Sequence, residues 1–230
     1  PAYNAEQTIV RTVENIYEIY DKNKFELIII NDGSTDSTRD KLSELNKKYT
    51  LKILNNSENI GKAASLNGAF MKARWEYILF VDADTIITKE GINDLIARIN
   101  YDAKVGAVAC NPAIHNSGVI PYMQSLECVM FALTFASYNL TSSPLLWGGC
   151  ILIRRKAFID AGMFSINVLG EDTDLALKLN ERGWKTQESY IFAYTNGKTT
   201  LKSWAKQKIR WTGSYIQCFI LHWKVYLRNP

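Results

Sequence analysis

The sequence has few of the residues that build zinc sites or disulfide frameworks. Among 230 residues there are four cysteines and two histidines. No two cysteines form a C-x-x-C pair, and neither His115 nor His222 has a partner at metal-ligand spacing, so a zinc site is not expected. Each cysteine lies in an apolar context, which favours buried, reduced thiols. We expect both histidines to be structural or exposed.

Long apolar runs, repeats and strong charge are also missing. No stretch reaches the roughly 18–20 uninterrupted apolar residues of a membrane-spanning helix, and nothing before Pro1 resembles a signal peptide. Both ends look like cuts in a longer protein. The net charge of +4 and the pI near 8.8 are too mildly basic for a dedicated nucleic-acid binder, so we expect no nucleic-acid partner. They suit an anionic small ligand or an anionic membrane surface.

Helix and strand patterns alternate at short spacing over residues 1–110. This alternation predicts an α/β fold with a mostly parallel central sheet and helices on both faces. Two long helices are predicted afterwards. The first, over 122–140, is apolar nearly all round, with Glu127 as its only charge, and the second, over 201–222, is basic at first and aromatic later.

Two carboxylates follow a predicted core strand. Tyr77–Val81 has the length and the branched and aromatic residues of a buried strand, but that does not explain Asp82 and Asp84. Paired acids there are costly unless a cation or hydrogen-bond donors meet them. The carboxyl end of a parallel strand is also where open α/β sheets bind ligands. We therefore predict a divalent metal that holds a diphosphate; the alternative is a solvated turn.

Further polar residues stand where other elements end or begin. Asp32 follows a predicted strand and can accept a hydrogen bond from a nucleobase N–H, and Tyr3 can stack on a flat base. The alternative for Asp32, and more so for Asp36, is a helix N-cap. Lys62 lies at a helix start, where it could meet phosphate, or it could be a solvated surface lysine. Asn4 is predicted to cap the first helix.

Several motifs stand in the order found in family 2 glycosyltransferases, which the chain resembles. The Q-x-x-R-W motif resembles the processive branch, which includes cellulose, chitin, hyaluronan and poly-N-acetylglucosamine synthases. Residues 106–108, 111–116 and 124–127 are most similar to bacterial poly-N-acetylglucosamine synthases. The motifs are Pro1-Ala2-Tyr3-Asn4, Asn31-Asp32-Gly33-Ser34-Thr35-Asp36, Asn59-x-Gly61-Lys62-Ala63, Asp82-Ala83-Asp84, Gly170-Glu171-Asp172 and Gln207-Lys208-Ile209-Arg210-Trp211.

The resemblance implies a GT-A fold and a metal-dependent, inverting glycosyltransferase. The expected donor is a UDP-sugar, such as UDP-N-acetylglucosamine or another UDP-hexose, and the acceptor is a growing β-linked polysaccharide. The expected cofactor is Mg²⁺ or Mn²⁺. Asp84 would be the usual metal ligand, and Asp82 would contact the sugar nucleotide and help with the metal. The nucleotide-binding residues would be Pro1, Tyr3, Asn4, Asp32, Lys62 and Asp82.

The family pattern makes Asp172 the base that deprotonates the acceptor hydroxyl. Glu171 and Asp174 are rivals for this role, and helix capping is the alternative for each of the three. A helix N-terminus would stabilise the charged form of Asp172, whereas a site closed from water would raise its pKa. The sequence leaves that balance open. One base without an obvious nucleophile fits a single displacement with inversion.

The last motif supplies candidates for the diphosphate and the acceptor. Gln207, Arg210 and Trp211 share one helical face, where an amide and a guanidinium can bind diphosphate oxygens and an indole can stack on a sugar. The alternative is a basic amphipathic helix near a membrane. Trp147 could form the floor of the acceptor site. Many relatives carry a serine where this chain has Gly148.

Two domains and a membrane-bound location follow as expectations. Residues 1–200 would form the catalytic domain, with a nucleotide-sugar half (1–110) and an acceptor half (111–200). Residues 201–230 would lie on the cytosolic membrane surface, with transmembrane helices outside this chain. Rival functions are transfer of one sugar to a lipid or other acceptor, a sugar nucleotidyltransferase, and a module that only binds nucleotide or glycan. No glycine-rich triphosphate loop supports the nucleotidyltransferase.

Overall fold

The protein is described here by a computed structural model that covers residues 1–141 and 146–228. Residues 142–145 of the predicted acceptor half and 229–230 of the predicted tail lie outside the described residues. The helices are α1 (Ile9–Ile19), α2 (Thr38–Lys48), α3 (Lys62–Phe70), α4 (Lys89–Tyr101), α5 (Val119–Thr141), α6 (Arg155–Asp160), α7 (Glu171–Glu181), α8 (Leu201–Leu221) and α9 (Trp223–Arg228). The strands are β1 (Leu27–Asp32), β2 (Leu51–Asn56), β3 (Tyr77–Val81), β4 (Val105–Ile114), β5 (Cys150–Arg154) and β6 (Lys185–Thr195).

The described strands form two sheets. β1 and β2 pair in parallel, and the second sheet has the order β3-β5-β4-β6. In that sheet β5 runs antiparallel to both of its neighbours, and only β4 and β6 are parallel. The predicted mostly parallel central sheet is therefore wrong. The reversal has a consequence for the site, because the loop that enters β5 lies beside the acids that follow β3, and the Asp82 N–H donates to the Gly149 carbonyl at 3.0 Å.

Strand β5 is buried on both faces and separates two apolar clusters. Ile151 and Ile153 point to one face, where they pack with α6 and α7, and Leu152 points to the other, where it packs with α4. This alternation is the normal period of a strand. It explains the nearly continuous apolar sequence of β5, and it puts helices on both faces of the second sheet, as the sequence predicts.

An apolar cavity of about 560 Å³ lies between β1 and β3. Its walls include Phe25, Leu79 and Trp75. None of the carboxylates Asp32, Asp84 and Asp172 lines this cavity, so it is distinct from the acidic cleft described below.

Both long predicted helices are present as α5 and α8. They contact each other through Glu127, whose carboxylate pairs with Lys208 at 2.6 Å. Many apolar side chains on the two helices remain exposed, for example Leu133 and Ile209. Over residues 1–141 and 146–228, no helix combines the length and the apolar character needed to cross a membrane.

Candidate active site

The carboxylate of Asp32 is buried, and the last residue of β2 and the loop that follows it supply its hydrogen bonds. Its Oδ1 accepts from Asn56 Nδ2 at 2.7 Å and from the Ile60 N–H at 3.1 Å, and its Oδ2 accepts from the Gly61 N–H at 3.0 Å. Burial opposes the charge, but these donors outweigh it and hold the pKa of Asp32 below its ordinary value. Asp32 is thus a fixed anion at the end of β1.

The first residues of the chain bind to the turn after β1. The Asn4 side-chain oxygen accepts from the Thr35 N–H at 2.8 Å, and the Asn4 N–H donates to Ser34 Oγ at 3.1 Å. The predicted helix cap at Asn4 is therefore wrong, since α1 begins only at Ile9 and the Asn4 amide is used by this turn. The Tyr3 side chain is half exposed.

The turn itself is rigid. Gly33 has φ +67°, and a Cβ there would overlap the backbone of Glu58, so only glycine lets this turn meet the loop that binds Asp32. Asp36 accepts from the Thr38 N–H at 3.0 Å and from the Glu6 N–H at 3.2 Å. Asp36 therefore links the start of α2 to the segment before α1, although Ser37 and not Asp36 occupies the N-cap position of α2.

Lys62 joins three parts of the cleft. Its ammonium lies 2.7 Å from Asp82 Oδ1 and 3.1 Å from Glu171 Oε1, and it donates to the Gly148 carbonyl at 3.1 Å. Burial opposes the ammonium charge, but the carboxylates outweigh burial, and the pKa of Lys62 is raised. Lys62 is not the solvated surface lysine of the alternative. Because an ammonium has three N–H donors, this set of partners uses all of them.

Asp82 and Asp84 follow β3 as predicted, and their charges interact unfavourably. Burial and the negative charge of Asp82 raise the pKa of Asp84, against the opposing influence of Lys198 and a hydrogen bond from Thr195. A cation near both carboxylates would relieve this repulsion.

The residues present fit a metal for which the protein supplies only some of the ligands. In the described ranges 1–141 and 146–228, no three His, Cys, Asp or Glu side chains are grouped closely enough to bind a metal alone. Mg²⁺ is commonly held by one or two carboxylates together with substrate phosphates and water. Asp84 and Asp82 provide such a pair of hard oxygen ligands, although Lys62 also binds Asp82.

Asp172 is half-buried on the first turn of α7. Its Oδ2 accepts from the Gly148 N–H at 2.9 Å, and its Oδ1 accepts from the Thr173 N–H at 2.8 Å. Burial and the charge of Glu171 raise the pKa of Asp172, against Lys62 and the two N–H donors. Burial and the charge of Glu171 thus outweigh Lys62 and the two backbone donors at the start of α7. A carboxyl with a raised pKa is suited to accept a proton near neutral pH.

The glycine at position 148 has a direct physical reason. A Cβ built there would lie 2.6 Å from Asp172 Oδ2, closer than van der Waals contact allows. Gly148 therefore permits the close approach of its own N–H to the carboxylate. A serine, as in many relatives, would require Asp172 or this loop to move.

The two rivals of Asp172 have other partners. Glu171 pairs with Lys62. Asp174 is buried and accepts from Ser165 Oγ at 2.7 Å, and it pairs with His222 at 2.9 Å and Lys178 at 3.1 Å. Burial raises the pKa of Asp174, but these contacts lower it by more, so the pKa lies below its ordinary value. Asp174 is thus a structural anion.

Both histidines behave as predicted. His222 is buried between Asp174 and Glu181, so it is structural. His115 is exposed and contacts Arg11 at 2.6 Å. The four cysteines are free and buried, as their apolar contexts predict.

The three residues of the last motif lie on α8 beside α5. The Trp211 ring contacts Phe131, with centroids 5.9 Å apart, and the Lys208 ammonium lies 3.7 Å from the Trp211 centroid. In the described part of the chain, no hydrogen bond or ion pair joins Gln207 or Arg210 to the carboxylates of the cleft. Their diphosphate contacts remain predictions.

The Trp147 indole folds back over Gly149 and packs against the apolar cluster that contains Leu152. It is half-buried in this position. The acceptor contact assigned to Trp147 from the sequence therefore remains a prediction.

One buried carboxyl near the site was missed by sequence reasoning. Glu188 is 3% exposed on β6, opposite Ala109 on β4. Burial, with smaller contributions from Cys110 and Asp172, raises the pKa of Glu188 well above its ordinary value. The available signal was a carboxylate followed closely by the aromatic and apolar residues Tyr190, Ile191 and Phe192.

The predicted carboxylates are linked by a short chain of contacts. Asp32 binds the N–H of Gly61, the next residue is Lys62, and Lys62 pairs with Asp82 and with the neighbour of Asp172. The Pro1 nitrogen is close enough to Asp82, Lys62 and Asp32 to be affected by their charges. Asp84 belongs to the same group through Asp82. One cleft therefore has the acids of three separate segments.

Comparison with known proteins agrees with this geometry. The family model described as glycosyl transferase family 2 matches residues 1–162. The chain is 31% identical to a poly-β-1,6-N-acetyl-D-glucosamine synthase of Staphylococcus aureus strain COL, over 91% of this chain and 52% of that protein. The corresponding synthase of Staphylococcus epidermidis is 29% identical over the same shares. The chain thus spans about half the length of these relatives.

Solved structures share the fold. A mannosyltransferase from Pyrobaculum calidifontis in complex with GDP-Man and Mn²⁺ gives a TM-score of 0.80 at 22% identity, over 100% of this chain and 63% of that one. Residues 1–349 of TarS from S. aureus, in complex with UDP-GlcNAc, give 0.64 at 23% identity, over 87% and 58%. These likenesses support the GT-A fold, and the sequence matches show that the chain belongs to glycosyl transferase family 2.

Proposed function

We propose that this chain is the catalytic part of an inverting, metal-dependent synthase. It would transfer a sugar from a UDP-sugar, most simply UDP-N-acetylglucosamine, to a growing β-linked polysaccharide. The observation that carries the proposal is the position of Asp172, a half-buried carboxyl with a raised pKa whose neighbour Glu171 shares Lys62 with Asp82. The proposed sub-family of the synthase is based on the similarity of the chain to poly-β-1,6-N-acetyl-D-glucosamine synthases.

The nucleotide would bind at the end of β1. Tyr3 offers a half-exposed ring for stacking on uracil. Asp32 keeps its charge through three hydrogen bonds, and a carboxylate can accept more bonds than the three it receives. Asn4 holds the surrounding turn through Thr35, and Pro1 lies beside Asp32.

The diphosphate would bind near Asp82 and Asp84, with Mg²⁺ or Mn²⁺. Such an ion supplies charge neutralisation as the glycosidic C–O bond breaks. Two of the solved relatives with the same fold have Mn²⁺ in their complexes. Gln207 and Arg210 would bind diphosphate oxygens from α8.

Asp172 would accept the proton of the attacking hydroxyl. Its two backbone donors fix the carboxylate, and burial keeps its pKa high enough for it to act as a base. A single base on one side of the sugar is what one displacement with inversion requires. Trp211 or Trp147 would stack on the acceptor.

A membrane location is part of the same proposal. The exposed apolar side chains of α8 and of the residue that follows His222 would contact the cytosolic membrane surface, in the manner of interfacial helices. They are Ile209, Tyr215, Ile216, Phe219, Ile220, Leu221 and Trp223.

The donor test is a panel of UDP-sugars and GDP-mannose, with membranes that carry the full-length protein. We expect release of UDP from UDP-N-acetylglucosamine and a polymeric product on a gel. Transfer of a single sugar to a lipid would instead support the non-processive alternative. Turnover of GDP-mannose alone would overturn the uridine assignment, and no turnover with any donor would favour a binding module.

The metal assignment predicts the behaviour of Asp84→Ala. This variant should lose the increase in UDP affinity that Mn²⁺ gives to the wild-type protein, because the main carboxylate ligand is absent. Isothermal titration of UDP with and without Mn²⁺ measures the effect. If Mn²⁺ still raises UDP affinity in the variant as much as in the wild type, Asp84 is not a ligand.

A further inference from the structure

The segment after β6 is held by two side-chain amides. The Asn116 amide donates to the Gly197 carbonyl at 3.2 Å and accepts from the Gly197 N–H at 2.8 Å. The Gln124 amide does the same to Lys198, at 2.8 Å and 2.9 Å. Each amide reproduces the two-bond pairing of neighbouring strands, and Gln124 is buried. The backbone at Lys198 is therefore fixed although its side chain is exposed.

This fixed segment lies beside the metal-side carboxylate. Ile86, two residues after Asp84, exchanges two backbone hydrogen bonds of 2.8 Å with Tyr194 at the end of β6. Thr195, the next residue, and the positive charge of Lys198 both lower the pKa of Asp84, against the stronger effects of burial and Asp82. Lys198 thus flanks the cleft on the Asp84 side.

With a donor bound, the negative charges in the cleft would outnumber the positive ones. Lys62 is held by Asp82, Glu171 and the Gly148 carbonyl, which use its three donors. A bound diphosphate would bring further negative charge next to these carboxylates, and one divalent ion would leave the group anionic. Because the backbone at Lys198 is already fixed, binding of its ammonium to the phosphate would order only the side chain.

We propose that Lys198 is a donor-binding residue whose ammonium contacts the diphosphate of the nucleotide sugar on the Asp84 side of the cleft. This inference rests on the proposed function, since it specifies how that function's donor is held. It gives a role to a lysine that lies outside every motif identified in the sequence.

The test compares nucleoside diphosphate with monophosphate, using the purified full-length protein in Mn²⁺. Lys198→Ala should weaken UDP binding about tenfold while changing UMP binding less than twofold, because a charge-assisted hydrogen bond to the outer phosphate is lost. Lys198→Arg should restore most of the UDP affinity. Lys89→Ala removes the same charge from an exposed site on α4 and should bind UDP as the wild type does.

The outcomes separate this inference from the proposed function. An unchanged UDP affinity in Lys198→Ala, or equal losses for UDP and UMP, overturns the role of Lys198. If the wild type binds GDP but not UDP, the donor assignment is wrong, and the same comparison is made with GDP and GMP. If the wild type binds no nucleoside diphosphate, both proposals are wrong.

Discussion

The side of α7 that faces the cleft differs sharply from the side that faces α8. Asp172, which is half-buried, and Asp174, which is buried, both lie on the first turn, and the same helix dipole acts on both. Asp174 has three polar side-chain partners and a lowered pKa, whereas Asp172 has two backbone donors, a carboxylate neighbour and a raised pKa. The pKa values of the two carboxyls therefore differ because their partners differ, and not because of the helix that they share.

This contrast separates a structural acid from a reactive one. Asp174 is stabilised as an anion by Ser165, Lys178 and His222, so it is poorly suited to accept a proton. The negative charge of Asp172 is unfavourable in its surroundings, and binding of a proton or a nearby cation would lower its free energy. Sites of function commonly carry such an imbalance at some expense of stability.

The largest effect is expected from Asp172→Asn. This variant should lose about 10²–10⁴-fold in transfer rate, because a general base contributes on that order. UDP binding should be retained, and the free energy of unfolding should stay equal or rise slightly, since an unfavourable buried charge is removed. Transfer assays, UDP titration and thermal unfolding measure the three quantities. Lost UDP binding together with lower stability would make Asp172 a structural cap.

The reverse pattern is expected from Asp174→Asn. Breaking the buried ion pairs should lower the free energy of unfolding by about 3 kcal/mol, a fall in Tm of roughly 6–12 °C for a chain of this length. The transfer rate of the remaining folded enzyme should change little at low temperature. A variant that keeps its Tm but loses activity would exchange the roles assigned to these two carboxylates.

A smaller effect is expected from Gly148→Ala. The added Cβ would lie 2.6 Å from Asp172 Oδ2, so the base must move by several tenths of an ångström. A displacement of that kind should lower the transfer rate about tenfold. Gly68→Ala is the matched control, because Gly68 lies in α3 with open space around it. Equal activity of the two variants would mean that the position of Asp172 tolerates the change.

Local patterns predicted the ends of the elements better than their arrangement. The acids after β3, the turn after β1 and the helix start at Glu171 could all be located from apolar runs followed by polar residues. These features depend on neighbours in the chain. The family resemblance then assigned the roles, and the contacts of Lys62 with Asp82 and Glu171 show that these residues are neighbours in space.

The features that the sequence did not reveal depend on distant partners. The direction of β5 is set by its pairing with β3 and β4, and its apolar sequence is equally compatible with a parallel strand. The saturation of Lys62 and the close approach of Gly148 to Asp172 arise from the loop that this reversed strand brings into the cleft. No local pattern carries that information.

The smallest effect concerns the pH dependence of the structural side of α7. Contacts with Glu181 and Asp174 raise the pKa of His222, although burial opposes its charge. A raised folded-state pKa means that the stabilisation is fully present below the unfolded value of about 6.5 and is lost as pH rises through the folded value. The stability advantage of the wild type over His222→Gln should therefore be greater at pH 6 than at pH 9, by about 1 kcal/mol.

The other histidine of the chain provides the control for this measurement. His115→Gln makes the same substitution at an exposed histidine away from α7. Urea unfolding of the three proteins at pH 6, 7.5 and 9 gives the comparison. If the advantage over His222→Gln is constant or grows with pH, His222 is neutral in the folded protein. Its bonds to Asp174 and Glu181 would then be those of an uncharged imidazole, and the charge balance on this side of α7 would rest on Lys178 alone.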